Sequence, residues 1–295
     1  MQRAILQFLT HLLVRPYKPK RKPSKTVAIV VPASARNELL PEEEISMRHL
    51  FRFLGPYDKY LVAPHGVSLQ REGFEVLEFS RKFFGSAAAH NRFLMWPGFY
   101  RKFRDYEYIL IYHLDSLVFS DQIMQWCQAG FDYIGAPWLP CPDTPWVKDA
   151  RVGNGGFTLM KVESVLKVLH NRYRMEPASY WGDMLIRNNL RLQPLFRFLK
   201  KVQPFFPESR IVNRPLEDLH RTENHDFLGL NNDYFWSFRA AEFLPEFKIA
   251  TVEEGLRFAF EAAPRTCFEL ARGQIPFGCH AWTKFDRSFW EPHLV

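Results

Sequence analysis

An apolar run near the middle of the chain, residues 108–112, ends abruptly in the polar step His113-Leu114-Asp115. A short run of Ile, Leu and aromatic residues is typical of a buried strand. Open α/β sheets bind their ligands beyond the carboxyl ends of such strands. Asp115 is therefore a candidate site residue. Its alternative role is to cap a following helix, but residues 116–119 favour an extended segment.

Strand-like and helix-like segments alternate along the rest of the chain. Helical segments between the strands are typical of βαβ units and predict an α/β fold with a mostly parallel sheet flanked by helices. At 295 residues the chain can bury a large core. We predict one large domain over residues 26–295. The predicted strands are 27–31, 59–63, 74–79, 108–112, 133–136 and 157–160, and the predicted helices begin near 41, 87, 122 and 251, with the second reaching about residue 103 and the last about residue 260.

The net charge of +7 belongs to the N-terminal segment, residues 1–25, which holds seven basic side chains and no acidic one. The other residues carry equal numbers of acidic and basic groups, which argues against non-specific nucleic-acid binding by the folded domain. We expect no specific nucleic-acid partner. Residues 5–13 predict a short amphipathic helix, followed by a basic, Pro-rich stretch. Two alternatives fit: an interfacial helix on an anionic membrane surface, or a helix docked on the protein.

The four cysteines are far apart and form no Cys-x-x-Cys pair, which disfavours a zinc ribbon or a dithiol site. A reducing, cytoplasmic setting is expected, with peripheral membrane attachment as an option.

Three later segments add candidate site residues. The glycine-rich segment at Asn154 predicts either a hairpin turn or a backbone that approaches a ligand. Asp233 is a candidate base, and it is also a candidate N-cap of the next helix. A lone histidine such as His280 is more often a core residue than a ligand. Trp236 could stack on a sugar or fill the core.

These segments, in this order, resemble the GT-A glycosyltransferases, and more narrowly an uncharacterised bacterial and fungal domain family with GT-A-like features. The resemblance spans roughly residues 26–290. His113-Leu114-Asp115 is similar to the Asp-x-Asp step, and Asp233 and His280 match the acidic motif and the C-terminal histidine.

The resemblance implies a GT-A-like, Rossmann-like fold. It also implies transfer of a sugar from a nucleotide-diphosphate donor, a UDP-sugar favoured, to a hydroxyl of a glycan or lipid-linked acceptor. The implied roles are base catalysis with inversion by Asp233; donor binding by Pro32, Arg92, His113 and Asp115; acceptor or sugar binding by Asn154, Gly155, Gly156 and Trp236; and metal binding by Asp115 and His280.

Two departures from the family pattern leave other functions open. His113 replaces the first Asp, and Asn232 replaces a Glu. An oxygen and an imidazole ligand suit Mn²⁺ better than Mg²⁺. The alternatives are a catalytically degenerate nucleotide- or glycan-binding protein and a metal-dependent phosphohydrolase. Arg92 could equally be a surface arginine. Residues 187–214 are basic and aromatic, which suits an acidic or lipid-linked acceptor, a membrane surface or a plain surface helix.

Overall fold

A computed structural model describes residues 17–19, 22–33, 36, 38–67, 70–175, 198, 201–205 and 231–295. The predicted helix over residues 5–13 and most of the basic region 187–214 lie outside these residues. The chain forms two compact units. The first comprises Met1–Lys20, Arg81–Arg101 and Ser164–Glu246, and the second comprises Arg21–Ser80, Lys102–Glu163 and Phe247–Val295.

Eleven strands occur in the described residues, all of them in the second unit. They are β1 (Lys25–Pro32), β2 (Asp58–Pro64), β3 (Glu75–Phe79), β4 (Tyr106–Tyr112), β5 (Leu117–Val118), β6 (Tyr133–Gly135), β7 (Pro137–Trp138), β8 (Arg151–Val152), β9 (Phe157–Lys161), β10 (Ala259–Phe260) and β11 (Gly278–Cys279).

The main sheet has six strands in the order β3-β2-β1-β4-β9-β6. The first four are parallel, while β9 runs antiparallel to both of its neighbours. The sheet is therefore mixed, and β9 is the exception to the predicted parallel arrangement. The fully buried stretches of β1 (residues 27–31) and β4 (residues 108–112) consist of Val, Ile, Leu, Ala and Tyr side chains. A second sheet contains β10, β11 and β5, and β7 pairs with β8.

Ten α-helices lie wholly within the described residues. They are α1 (Pro41–Leu54), α2 (Ala87–Leu94), α3 (Pro97–Tyr100), α4 (Ile123–Gln128), α5 (Val162–Met175), α6 (Asn232–Phe238), α7 (Ala240–Phe243), α8 (Val252–Phe258), α9 (Pro264–Leu270) and α10 (Arg287–Trp290). Short 3-10 turns lie at Arg81–Phe83, Arg101–Phe103, Gln203–Phe205 and Glu291–His293. None of the described helices has both the length and the apolar character needed to span a membrane.

Each unit has its own apolar packing. In the second unit Trp282 and Trp290 are fully buried, in a cluster with Leu117, Leu256 and Cys279. In the first unit, the rings of Phe93 and Phe99 lie 4.7 Å apart and those of Tyr100 and Trp236 lie 6.3 Å apart. These aromatic contacts join α2, α3 and α6.

The predicted strands of the main sheet are all confirmed, with ends that differ by one or two residues. The predicted helix over 87–103 is wrong in its length, because Pro97 divides it into α2, α3 and a 3-10 turn. Proline lacks an N–H, and it forces the preceding residue out of the helical region; Trp96 is indeed extended. The predicted helix that begins near residue 251 is confirmed, and Thr251 and Glu254 form a capping box at its start, although α8 ends at Phe258 and not at about residue 260.

Candidate functional site

The carboxyl ends of β1 and β4 are adjacent in the second unit. Val30 pairs with Ile111, so Pro32 at the end of β1 lies beside the start of the His113 turn. The main-chain N–H of His113 donates to the carbonyl of Gly156 at 2.9 Å. This is the edge of the sheet at which open α/β folds bind ligands.

The small sheet brings three further side chains to one edge. Strands β10 and β11 are parallel, so Glu261 and His280 directly follow their carboxyl ends. Strand β5 is antiparallel to β11, so Asp115 precedes the end of β5 that lies at the same edge. The carbonyl of Asp115 accepts the N–H of Trp282 at 3.1 Å, which ties the two segments together.

His113, Asp115 and His280 form a cluster of potential metal ligands. One donor atom of each lies within 4.8 Å of the others. Nε2 of His280 is 3.3 Å from Oδ1 of Asp115, and the two imidazole centroids are 5.3 Å apart. The side chain of Asp115 is 49% exposed and that of His280 is 14% exposed. Two nitrogens and one oxygen on converging side chains form a suitable donor set for a divalent transition metal.

Electrostatics within this cluster favour opposite charges on Asp115 and His280. Burial alone would raise the pKa of Asp115, but the hydrogen bond from His280 and the charges of His280 and His113 outweigh burial. The net effect holds that pKa below its usual range. Burial likewise opposes the charge on His280, while hydrogen bonds and charges from Asp115 and Glu261 raise its pKa to about 10. Without a metal, the histidine is therefore an imidazolium at neutral pH.

Glu261 is a site residue that the sequence did not indicate. Its Oε1 lies 2.9 Å from Nδ1 of His280, on the ring edge opposite Asp115. The amide nitrogen of Asn154 donates to the same oxygen at 2.6 Å. His280 is thus bracketed by two carboxylates, an exposed one on Asp115 and a largely buried one on Glu261.

The glycine-rich segment supports His280. Asn154, Gly155 and Gly156 are all buried, and Oδ1 of Asn154 accepts the N–H of Gly156 at 3.0 Å. A Cβ on Gly156 would overlap the His280 ring. The buried amide of Asn154 is engaged through both its oxygen and its nitrogen. This arrangement gives Asn154 and Gly156 a supporting role beside His280, while the expected contact of the segment with an acceptor sugar stays a prediction.

Asp233 and Arg92 both belong to the first unit. The capping alternative for Asp233 is wrong, because α6 begins at Asn232 and its N-cap is Asn231. Oδ1 of Asp233 accepts the N–H of Tyr234 at 2.9 Å. Arg92 is half-buried and its Nη2 donates to the carbonyl of Lys82 at 3.4 Å, so it is not a plain surface arginine. Its pKa is lowered by burial.

Asn232 joins the two helices that carry Asp233 and Arg92. Oδ1 of Asn91 accepts the main-chain N–H of Asn232 at 3.1 Å and its side-chain N–H at 2.7 Å. Asn232 is buried. A Glu at this position could not donate the side-chain hydrogen bond, so Asn232 has a structural role of its own.

We expect Asn232→Ala to lower the free energy of unfolding by about 1 kcal/mol, because half-buried Asn91 loses one of its two donors. Urea unfolding would measure the change. Asn231→Ala is the matched control, since Asn231 makes no capping hydrogen bond. Equal losses in the two variants would contradict the assigned role.

Trp236 is fully buried and packs on Tyr100 and Phe235. A ring without exposed surface does not offer a face to a sugar. Of the two roles that the sequence left open, its position supports core filling.

The sequence profile of a family described as "Protein of unknown function (DUF5672)" matches residues 73–280. This range is more than half of the chain and includes His113, Asp115, Asn154, Glu261 and His280. No curated protein matches the chain.

Proposed function

We propose that this chain, which belongs to the DUF5672 family, transfers a sugar from a nucleoside-diphosphate donor, a UDP-sugar favoured, to a hydroxyl acceptor. The observation that carries the proposal is the cluster of His113, Asp115 and His280. It follows the carboxyl end of β4, next to Pro32 at the end of β1. A GT-A-like fold is part of the proposal, and the parallel order β3-β2-β1-β4 supports it.

The three side chains fit a divalent cation, which would supply positive charge for a diphosphate leaving group. Asp115 is half exposed and would bind from the solvent side, while the largely buried His280 would present a fixed nitrogen. With two imidazoles and one carboxylate, the donor set favours Mn²⁺ over Mg²⁺, which prefers oxygen ligands.

The reaction we propose is a direct displacement with inversion at the sugar carbon. The acceptor oxygen forms a bond to that carbon, and the electron pair of the breaking C–O bond goes to the diphosphate oxygen. Asp233 would take the acceptor's proton, and Arg92 would pair with the diphosphate. The role of Asp233 rests on the sequence resemblance, and that of Arg92 on its charge and its place on the helix before the Asp115 strand. Asn154 and Gly156 would hold His280. Contact of Asn154, Gly155 and Gly156 with the acceptor rests on the sequence resemblance, and a role for Trp236 in sugar binding is not supported by its burial.

The acceptor and the cellular setting are also proposals. A glycan or lipid-linked acceptor is consistent with the basic region 187–214. Residues 1–25 would attach the protein peripherally to the cytoplasmic face of an anionic membrane.

A thermal-shift panel of nucleoside diphosphates and nucleotide sugars, with and without Mn²⁺, tests the donor site. A ligand that binds only the native state stabilises it by about 2.7 kcal/mol at a hundredfold excess over its Kd. We expect a Mn²⁺-dependent shift with one base, retained in the control Asp121→Ala and lost in Asp115→Ala. Asp121 is an exposed carboxylate nearby in the chain. A panel without any shift would refute the donor site.

A catalytically degenerate binding protein is the second candidate, and the structural role of Asn232 favours it. Asn232 lies where the resembled motif has a carboxylate. Nucleotide binding without sugar transfer to any acceptor would identify this function. Release of phosphate or of a nucleoside monophosphate without an acceptor would instead identify a phosphohydrolase.

A further inference from the structure

We infer that Glu261 and Asn154 form a positioning pair that holds the proton of His280 on Nδ1 and directs Nε2 toward the cation. This inference rests on the proposed cation site and names two residues that would act through one of its ligands. The hydrogen bonds among the three side chains carry it.

The orientation of the Asn154 amide is fixed by its main-chain neighbours. Its Oδ1 accepts the N–H of Gly156 at 3.0 Å and lies 3.5 Å from the N–H of Phe157. Because an amide oxygen accepts and an amide nitrogen donates, Nδ2 must face the opposite side. There it donates to Oε1 of Glu261 at 2.6 Å.

Nδ2 of Asn154 also lies 3.1 Å from Nδ1 of His280, but the carboxylate of Glu261 is closer to that nitrogen and determines its proton. Oε1 of Glu261 accepts from Asn154, and the same oxygen lies 2.9 Å from Nδ1 of His280. An unprotonated Nδ1 would place a lone pair against a carboxylate oxygen. A protonated Nδ1 instead donates a charge-assisted hydrogen bond. In the neutral imidazole the lone pair is then on Nε2.

The direction of Nε2 matches the open side of the site. Nε2 is 3.3 Å from Oδ1 of Asp115, whose side chain is about half exposed, whereas the side chain of Glu261 is only 13% exposed. A cation can thus reach the edge of the ring that faces Asp115. Histidine ligands of metals usually donate their other N–H to a carboxylate or carbonyl, which fixes the ring. Glu261 supplies that acceptor here.

Burial and main-chain hydrogen bonds hold Asn154 and Glu261 in place. Asn154 is 4% exposed, and the N–H of His280 donates to the carbonyl of Phe260 at 2.9 Å, next to Glu261 in the chain. Glu261 and His280 directly follow β10 and β11, and the pairing of these strands fixes the position of one residue relative to the other. This geometry is what an outer-sphere positioning pair requires.

The test is Mn²⁺ affinity, measured from the EPR signal of free Mn²⁺ with full-length protein. Glu261→Ala is expected to weaken binding about 10- to 100-fold. Glu261→Gln keeps an oxygen at the same place and should restore part of the loss. Glu269→Ala removes an exposed carboxylate of the same unit and is the control. Circular dichroism establishes that each variant is folded.

A spectroscopic readout separates positioning from general loss of structure. In the Zn²⁺-loaded protein, ¹⁵N NMR of the His280 ring should give a protonated Nδ1 and a metal-bound Nε2, and a mixed or reversed pattern in Glu261→Ala. Unchanged Mn²⁺ affinity together with an unchanged ring pattern in Glu261→Ala would overturn the positioning role of Glu261 and leave the cation site in place. Absence of Mn²⁺ binding by the wild type would overturn the cation site and this inference with it.

Discussion

His280→Ala is expected to lower the free energy of unfolding of the metal-free protein by about 3–5 kcal/mol at pH 6. The imidazolium lies 2.9 Å from Glu261 and 3.3 Å from Asp115, and the side chains of His280 and Glu261 are both largely buried. Removing one partner of a buried ion pair leaves the other charge without compensation. Urea unfolding in the presence of EDTA would measure the loss.

The difference between wild type and His280→Ala should fall as the pH rises. The pKa of His280 is raised to about 10 in the folded protein, against about 6.5 in an unfolded chain. A histidine whose pKa is higher in the folded protein than in the unfolded chain stabilises the folded protein. This stabilisation is complete below the pKa of the unfolded chain, and it is lost as the pH rises through the pKa of the folded protein. We therefore expect the largest difference near pH 6 and a small charge contribution above pH 10.

Two further variants test whether the loss of stability in His280→Ala comes from the buried ion pair. His65 forms an exposed pair with Glu78 at 3.2 Å, and such pairs contribute about 0–1 kcal/mol, so His65→Ala should change stability little. The double variant Glu261→Gln/His280→Ala also removes the Glu261 charge that His280→Ala leaves uncompensated. It should recover part of the lost free energy of unfolding. A difference between wild type and His280→Ala that stays constant from pH 6 to 10.5 would contradict the ion-pair explanation.

The main sheet was predictable because its central strands contain continuous apolar runs. Strands β1 and β4 lie in the centre of the sheet, and burial on both faces demands continuous runs of Val, Ile, Leu and aromatic residues. The direction of β9 was not predictable, since an antiparallel strand has the same composition. Its pairing with both β4 and β6 depends on contacts far apart in the sequence.

The site was predictable only in part. Asp115 was singled out by its place after a buried strand and His280 by the family resemblance, and the structure places the two side chains 3.3 Å apart. Glu261 was missed because β10 and β11 have two residues each, too few for any periodic pattern. Without that pairing, nothing in the sequence connects residue 261 with residue 280.

At Gly156 a close approach to the backbone was correctly predicted, but the approaching group is not a ligand. A glycine-rich loop predicts a backbone that another group approaches closely. The approaching group is the His280 ring of the same chain, since a Cβ on Gly156 would overlap that ring. Gly156 is not among the residues with positive φ, so the requirement for glycine is one of space and not of backbone conformation.

Gly156→Ala should therefore destabilise the protein by about 3 kcal/mol, at the upper end of the range for overpacking. The backbone cannot easily move away, because the Gly156 N–H donates to Asn154 and its carbonyl accepts from His113. The His280 ring must shift instead, which breaks its hydrogen bond to Glu261. Mn²⁺ affinity should fall at least tenfold as the ring loses its position.

A double-mutant cycle with His280→Ala tests this explanation directly. Without the ring there is room for the added methyl group, so Gly156→Ala should cost less than about 1 kcal/mol in that background. The coupling energy between the two positions would then be about 2 kcal/mol, within the range for residues in contact. Denaturant unfolding of the four proteins provides the measurement. An equal cost of Gly156→Ala in both backgrounds would mean that the methyl group clashes with something other than His280, and the supporting role of the loop would have to be abandoned.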